Sequence, residues 1–427
     1  MERELTNISR RSFLEKSKLA GAGAAAFTII KPELVRGAGK EQLKAGLVGC
    51  GGRGTQAVVD MMRGTENVNI VAMGDIFEDK LEASLAKVRG QKDSDKYADR
   101  IKVDAEHRFV GFDAYKKVLA SEIDIVMLAT PPGYRPMHFE AAVEARKHIF
   151  CEKPFGTDPV GVRRFMAAAK KSEELKLTVM SGAQRRNDAN YIETINKIHD
   201  GAIGDVVATY AYWVGRPVIQ QKAGRDPKWG DMAWEHRNWY SFVWICGDEI
   251  VEQHLHNIDV SNWVMGTHPV EVVSTGGAIW RPREELYGNI YDHFSSDFVY
   301  ANGVRMSSYC RQFPEPAAMN VSEMIVGSKG RSNAKDLGQN AKTVPYVAEH
   351  TAMAASIRGD GPYVNHGMTV AESTLTCIMA RESAYSGQKI TWDQIMASQL
   401  DMQPKTFDYD LKMEPPPLPV PGIYKFV

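Results

Sequence analysis

The chain has 427 residues, and its 52 Lys and Arg against 53 Asp and Glu give a formal net charge of -1. This length predicts two or three domains with a substantial core, and the charge balance argues against a nucleic-acid-binding protein, which would carry a basic excess or patch. The five cysteines lie far apart without a CxxC pair, so neither a zinc site nor a disulfide framework is predicted.

The first forty residues have the pattern of an export signal. Arg10 and Arg11 are followed by Phe13, Leu14 and an uncharged stretch at 19–30, which is shorter than the roughly 20 residues that a membrane-spanning helix needs. This pattern is typical of a twin-arginine signal; a basic terminus without that role is the alternative. We expect residues 1–38 to direct the folded protein, with any bound cofactor inside, to the periplasm.

A short strand, a glycine-rich turn and a helix are predicted next. The strand covers 44–48, and the turn at 49–54 reads Gly-Cys-Gly-Gly-Arg-Gly. Between a strand and a helix, GxGxxG is the dinucleotide-binding fingerprint: Gly49 makes the tight turn, Gly51 lets the backbone approach a pyrophosphate, and Gly54 permits close helix packing. The phosphates would rest at the helix N-terminus, where free N–H groups and the helix dipole favour negative charge.

The second predicted strand ends at Asp75, about 20 residues after the glycines, where a carboxylate can hydrogen-bond the adenosine ribose. Asp75 would repel a 2′-phosphate, and Ile76 offers no charge to hold one, so NAD is favoured over NADP. A helix cap is the alternative role for Asp75. The apolar run at 124–129 and the strand at 148–151, joined through a helix, predict a parallel, doubly wound sheet.

The turns after these two strands carry the most specific motifs, Thr130-Pro131-Pro132 and Glu152-Lys153-Pro154. Together with GxGxxG near the start, they make the chain resemble the Gfo/Idh/MocA family over roughly residues 43–400. Members of that family are nicotinamide-dependent oxidoreductases that act mostly on sugars and inositols. The fingerprint and the resemblance together suggest the following cofactor-binding residues: Gly49, Gly51, Gly52, Arg53, Gly54, Asp75, Thr130, Pro131, Pro132, His138, Glu152 and Lys153.

The resemblance also implies the fold class, which is α/β. A Rossmann domain with a doubly wound parallel sheet is expected at 39–175, and an α/β domain with a large open, mostly antiparallel sheet and a Pro-rich tail at 176–427. Alternating β-rich runs at 270–279 and 303–310 fit that second sheet. Because this sheet commonly forms the dimer interface in the family, a homodimer or homotetramer is expected.

The resemblance implies a catalytic role for Lys153, whose place before a proline predicts a non-helical turn; a surface loop lysine is the alternative. In the family, an acidic residue followed four positions later by His forms the catalytic pair. Those positions match Glu252 and His256 in a helix predicted from Gly247 to about Met265, where they share one face. His256 would take the hydroxyl proton, since the unperturbed pKa of histidine lies near working pH. Glu252 would support it or, with an arm longer than the usual Asp, address the substrate.

Other roles for this segment remain open. His254 and His256, with Glu252 and Asp259, are metal-ligand types, but residues two apart on a helix point about 200° apart, so no metal is expected. Asp259 is favoured as a structural hydrogen-bond partner over a catalyst. His254 is either a supporting or a merely polar residue.

The segment 234–240 mixes aromatic and hydrogen-bonding side chains. This composition predicts a carbohydrate subsite, where rings stack on sugar CH faces and polar groups read hydroxyls, although protein interfaces are also rich in Trp, Tyr and Arg. The residues expected at the substrate are Arg185, Trp234, His236, Arg237, Tyr240 and His256.

These observations predict an exported NAD-dependent oxidoreductase that transfers hydride to or from a carbinol carbon of a sugar, polyol or glycoside. Its cofactor is expected to be tightly bound and recycled by a second substrate. The alternative is an NAD-dependent glycoside hydrolase or lyase that uses transient oxidation and elimination, and a non-catalytic sugar- or nucleotide-binding protein is a third reading. No nucleic-acid partner and no membrane span are expected.

Overall fold

The first half of the computed structural model, which is described over residues 42–427, is built on a six-stranded parallel sheet. Its strand order is β3-β2-β1-β4-β5-β6, and the predicted signal at 1–38 lies outside the described residues. The strands are β1 (Leu43–Val48), β2 (Val68–Asp75), β3 (Arg108–Val110), β4 (Ile125–Leu128), β5 (His148–Cys151) and β6 (Val179–Ser181). The helices are α1 (Gly52–Gly64), α2 (Glu78–Arg89), α3 (Ala114–Ala120), α4 (Arg135–Glu144) and α5 (Pro159–Glu174).

The strand order reverses between β1 and β4, which both pair with parallel neighbours. In such sheets ligands bind in the crevice outside the carboxyl ends of the strands at this reversal. All four residues of β4 are buried, as expected for a strand covered by helices on both faces. The sheet includes β6, which lies beyond residue 175, where we expected the domain boundary.

The second half contains a seven-stranded sheet in the order β12-β11-β7-β10-β9-β8-β13, in which only β7 and β10 pair in parallel. Its strands are β7 (Val206–Gly215), β8 (Glu271–Gly277), β9 (His293–Val299), β10 (Arg305–Gln312), β11 (Asn320–Gly327), β12 (Arg331–Ser332) and β13 (Ile390–Thr391). Together with the parallel first sheet, this confirms the predicted fold class.

The remaining helices pack beneath the second sheet or return to the first half. They are α6 (Ala189–His199), α7 (Asp231–Arg237), α8 (Val243–Cys246), α9 (Glu249–Glu252), α10 (Leu255–Met265), α11 (Pro345–Arg358), α12 (Gly367–Ser386) and α13 (Trp392–Ala397). The helix α12 is almost wholly buried and contacts both β8 and α5, and α11 packs against α1. Within residues 42–427, no helix is both long and apolar enough to cross a membrane.

Candidate active site

A cleft of about 690 Å³ runs along the carboxyl ends of the first sheet and continues under the second half. Its Rossmann wall holds the glycine turn, Asp75, Thr130, Pro131, Glu152 and Lys153. The facing wall includes Trp213, Gln220, Gln221, His236, Arg237, Trp239, Glu252, Gln253 and His256. The cleft therefore joins the predicted cofactor residues to the predicted catalytic pair.

The glycine turn has the shape of a phosphate cradle. Gly49 has a φ of +97°, and a Cβ there would lie 2.6 Å from the backbone of Ala129. A Cβ on Gly54 would lie 1.9 Å from the carbonyl oxygen of Gly49, so this close approach also requires glycine. At Gly51 and Gly52 a Cβ would meet nothing within 4 Å. That open space adjoins the first turn of α1, which has no side-chain cap, and it fits a pyrophosphate.

Asp75 lies at the end of β2 with its carboxylate already oriented. The Cys50 N–H donates to Oδ2 at 2.6 Å, and the Phe77 N–H donates to Oδ1 at 2.9 Å. Each carboxylate oxygen keeps further acceptor capacity, which suits ribose hydroxyls. Burial raises the pKa of Asp75, and the two backbone N–H groups oppose that rise.

Arg53, in the glycine turn, forms ion pairs with three carboxylates. It binds Glu152, Asp60 at 3.0 Å and Glu349 at 3.2 Å, and its guanidinium lies 4.5 Å from the ring centroid of Tyr346. Burial raises the pKa of Glu349 well above its usual value. This cluster ties α1 to α11 and fixes Glu152 beside Lys153.

Lys153 is paired with Glu252 across the cleft. Its ammonium donates to Glu252 Oε1 at 3.0 Å and also to the Glu252 carbonyl oxygen. Glu252 Oε2 and His256 Nδ1 are buried, and neither has a hydrogen-bond partner in the described part of the chain. The His256 ring lies nearly parallel to that of Trp213, with centroids 5.8 Å apart. The carboxylate therefore holds Lys153 rather than His256.

The predicted continuous helix from Gly247 to Met265 is wrong. The segment divides into α9 and α10, with Gln253 and His254 between them, so Glu252 and His256 do not share one helical face. The buried His254 ring is hydrogen-bonded to Ser308 Oγ of β10 at 2.8 Å, and the backbone N–H of His254 donates to the carbonyl of Glu249, five residues back. This widened turn explains why spacing alone misplaced the pair.

His256 is held in its neutral form. Burial lowers its pKa well below the ordinary value, and the charges of Lys153, Arg185 and Arg53 lower it further. A neutral imidazole can accept a proton or a hydrogen bond. The choice of His256 from the sequence relied on the unperturbed pKa of histidine, and the buried, cationic surroundings lower the pKa of this side chain from that value.

Three residues predicted at the substrate lie elsewhere. Trp234 and Tyr240 are core side chains, each 2% exposed, and neither lines the cleft. Arg185 does not line it either, because its guanidinium binds Glu323 of β11. Asp259 accepts two hydrogen bonds from Arg186 at 2.8 Å, in keeping with a structural role.

His236 and Arg237 do line the cleft, but at the end near Asp75 rather than beside Lys153. Arg237 binds Asp79 at the start of α2 and stacks on Phe77. His138 lines the same cleft, with its Nδ1 3.2 Å from Thr130 Oγ1. Of the predicted cofactor residues, Gly54 and Pro132 are absent from the wall.

Several residues that line the cleft were not among the site residues predicted from the sequence. They are Gln184, Trp213, Gln220, Gln221, Trp239, Gln253 and Tyr346. The amide oxygen of Gln184 is buried and finds no partner within residues 42–427. These side chains come from a short 3₁₀ turn, a strand end, loops and a helix start, with no shared spacing that would have marked them.

In the part of the chain that the structure describes, no three His, Cys, Asp or Glu side chains are arranged to hold a metal ion. The glycine cradle, the acidic end of β2 and the strand reversal instead define a Rossmann domain for NAD. Residues 43–181 match the Gfo/Idh/MocA model, which describes an oxidoreductase family with an NAD-binding Rossmann fold. This match supports the family assignment that the motifs suggested.

Among similar proteins, the myo-inositol 2-dehydrogenase of Thermotoga maritima is 21% identical over 237 residues, covering 56% of this chain and 59% of that protein. The chain spans about half the length of the curated relatives it matches. The scyllo-inositol dehydrogenase of Lactobacillus casei, solved with NAD(H) and scyllo-inositol, has a TM-score of 0.63 at 18% identity over 82% of this chain and 99% of that one. For the aldose-aldose oxidoreductase of Caulobacter crescentus, complexed with glycerol, the TM-score is 0.60 at 15% identity, with coverages of 82% and 99%. These two likenesses show the shared fold.

Proposed function

We propose that this protein is an NAD-dependent oxidoreductase that transfers hydride to or from a carbinol carbon of an uncharged sugar, polyol or glycoside. The observation that carries the proposal is the Lys153–Glu252 pair beside His256, on the same cleft as the glycine cradle. Unpartnered buried polar atoms cost about 1–3 kcal/mol each. Glu252 Oε2, His256 Nδ1 and Gln184 Oε1 are three such atoms on cleft-lining residues, and a hydroxyl-bearing ligand can satisfy them.

The chain's own residues divide the work between binding and proton transfer. Bound NAD supplies the acceptor for the hydride that leaves the carbinol carbon. The Lys153 ammonium, held in place by Glu252, donates to the substrate oxygen and stabilises negative charge on it. Neutral His256 accepts the hydroxyl proton, and such help contributes roughly 10²–10⁴ in rate.

The charges of the wall favour an uncharged substrate. Lys153 and Arg53 are already paired with carboxylates, and Glu152 and Glu252 would repel an acidic sugar. The nearby amides can read hydroxyls, and Trp213 offers a ring face for stacking. Among the similar proteins, the inositol dehydrogenases are named for a substrate of this uncharged polyhydroxy class.

A matched substrate panel tests this proposal. Purified protein is mixed with inositols and aldoses, and in parallel with the uronic acids of the same aldoses, while the NADH absorbance band and product formation are followed. We expect turnover with at least one neutral compound and at least tenfold lower kcat/KM with its uronate. Equal or faster turnover of the uronates would refute the neutral-substrate proposal, and no turnover throughout would favour a binding protein.

Redox-assisted cleavage of a glycoside is the second candidate. It needs one group for the hydroxyl proton and another for the acidified C–H, and two unpartnered acceptors, Glu252 Oε2 and His256 Nδ1, are present. Free sugar released from a glycoside without net NADH would favour this reaction. Keto-sugar formed in step with NADH would favour simple oxidation.

We also propose that the protein is exported with NAD already bound, on the basis of the twin-arginine-like sequence at Arg10 and Arg11. Hydride taken from the carbinol carbon of one sugar would then pass to the carbonyl carbon of a second. One of the similar structures is named for such an exchange between two aldoses. A fusion of residues 1–42 to a reporter should reach the periplasm, and Arg10→Lys with Arg11→Lys should retain it in the cytoplasm.

A homo-oligomer through the outer face of the second sheet is a further part of the proposal. Val273 of β8 and Tyr309 of β10 are 53% and 38% exposed there. Tyr309→Glu should lower the mass measured by light scattering. An unchanged mass would place any interface elsewhere.

A further inference from the structure

Two segments of the second half reach across the cleft near Asp75, and they are named here the roof (residues 229–239) and the strap (residues 407–413). The roof contacts the turn after β2 through Arg237. The Arg237 guanidinium donates two hydrogen bonds to Asp79, at 2.8 and 3.0 Å. It also lies 3.9 Å from the ring centroid of Phe77 and 4.8 Å from that of Trp229. The roof is thus bound to one side of the adenosine end of the cleft.

The roof is bound on the other side of the cleft through His236. Its Nδ1 lies 2.6 Å from the carbonyl oxygen of Met232, so Nδ1 carries the proton and Nε2 accepts from the Tyr134 hydroxyl. Burial lowers the pKa of His236 to about 4, which keeps this arrangement neutral. Tyr134 belongs to the turn after β4. The turns after β2 and β4 are therefore joined above the cleft by a single short helix, α7.

The strap covers the same end from outside. The Tyr409 hydroxyl donates to the carbonyl of Ile76, and its ring centroid lies 4.8 Å from that of Phe112 and 5.9 Å from that of Phe77. Phe407 adds a second ring 5.7 Å from Phe112. The strap thereby closes the outside of the turn that holds Asp75.

The strap and the roof are bound to each other through their backbones. The Ala233 N–H donates to the carbonyl of Tyr409 at 3.2 Å, and the Met232 N–H donates to that of Leu411 at 3.3 Å. Gly230 permits this approach, since a Cβ there would lie 2.4 Å from the Tyr409 oxygen. Movement of one segment therefore requires movement of the other.

We infer that the roof and the strap are a retaining bridge that keeps NAD resident in the protein, with Arg237, His236 and Tyr409 as its positioning residues. The inference rests on the proposed use of NAD. The two bridged turns flank the dinucleotide crevice, and Asp75, the expected ribose ligand, lies at the end of β2 next to the first of them. Exchange of NAD then requires the Arg237–Asp79, Tyr134–His236 and Tyr409–Ile76 contacts to open together, which makes it slow.

The test compares rates of NAD exchange in variants whose changed side chains do not line the cleft. Asp79→Asn removes the partner of Arg237, and Tyr409→Phe removes one hydroxyl but keeps the ring. Asp297→Asn is the matched control, because it breaks an exposed Arg305–Asp297 pair on the second sheet. Protein loaded with NAD is diluted into excess isotopically labelled NAD, and the bound isotope is followed by mass spectrometry of the released nucleotide.

Wild-type protein should keep its NAD through gel filtration. Exchange should be roughly tenfold faster in the double variant that combines Asp79→Asn with Tyr409→Phe, since the loss of about 1.4 kcal/mol is a factor of ten, and unchanged in Asp297→Asn. If the double variant does not fold, the single Tyr409→Phe provides the same comparison, with a smaller acceleration expected. Exchange at the wild-type rate in the folded variants, or rapid loss of NAD from wild-type protein, would overturn the inference.

The sugar panel keeps this test separate from the proposed function. Faster NAD exchange in the variants together with no oxidation of any sugar would support the retaining bridge and refute the proposed reaction. Sugar oxidation by a wild-type protein that exchanges NAD within seconds would support the proposed reaction and refute the retaining bridge.

Discussion

Substitution of Glu235 by Gln tests whether the buried carboxyl group of this roof residue makes the stability of the protein depend on pH. Glu235 lies on α7 and is 2% exposed, and its carboxylate accepts from Trp244 Nε1. Burial raises its pKa from 4.5 to about 7. The folded protein therefore binds this proton more tightly than the unfolded chain, and stability falls as the pH rises from 4.5 through 7. Each unit of pKa difference is worth about 1.4 kcal/mol, so the loss above pH 8 is about 3–4 kcal/mol.

Glu235→Gln keeps the acceptor for Trp244 but carries no charge at any pH. We expect its free energy of unfolding to match that of wild type within about 1 kcal/mol at pH 5 and to exceed it by about 3–4 kcal/mol at pH 9. Urea unfolding followed by circular dichroism, at one saturating NAD concentration, measures both values. Glu106→Gln, at an exposed carboxylate, is the control and should show no such pH dependence. A difference between Glu235→Gln and wild type that does not change with pH would refute the argument.

Three further changes test the cleft itself. His256→Ala should lower kcat by a factor of roughly 10²–10⁴ with the NAD content unchanged. In wild type, the acid limb of the kcat–pH profile should lie well below pH 6.5, because burial lowers the pKa of His256. An acid limb at the ordinary histidine value would contradict this. Gly54→Ala should give folded protein that releases no NAD when it is denatured, since the added Cβ would collide with the Gly49 carbonyl oxygen. A normal NAD content would contradict the role of the glycine turn as a phosphate cradle. Trp213→Ala should raise KM for a neutral sugar several-fold, whereas Trp280→Ala, outside the cleft, should not.

The Rossmann half was predictable because its signals are local. The glycine turn needs a strand before it and a helix after it within about 20 residues, and both periodicities are visible in the sequence. The place of Asp75 follows from the same short unit. These features depend on neighbours in the chain, so a single sequence carries enough information to place them.

The facing wall was not predictable in the same way, because the positions of its side chains depend on partners that are distant in the sequence. Arg185 binds Glu323, 138 residues away, and Arg237 binds Asp79, 158 residues away. The sequence around an arginine gives no local signal that separates a substrate ligand from an ion-pair partner. The aromatic-rich segment 234–240 is therefore divided: the Trp234 and Tyr240 side chains lie in the core, whereas those of His236 and Arg237 line the cleft.

The division of the predicted helix changes the chemistry assigned to Glu252. On one continuous helix its carboxylate would lie a turn before His256 and would raise the basicity of the imidazole. The widened turn at His254 instead brings the Glu252 carboxylate and carbonyl to Lys153, and His256 stacks against Trp213 with its pKa lowered. In the proposed mechanism, the lysine is the group that meets the substrate oxygen. The histidine is a weakly basic acceptor whose affinity for the proton rises when negative charge develops on that oxygen. We therefore expect Glu252 to influence the reaction through Lys153, to which its carboxylate and carbonyl are hydrogen-bonded, and not through His256.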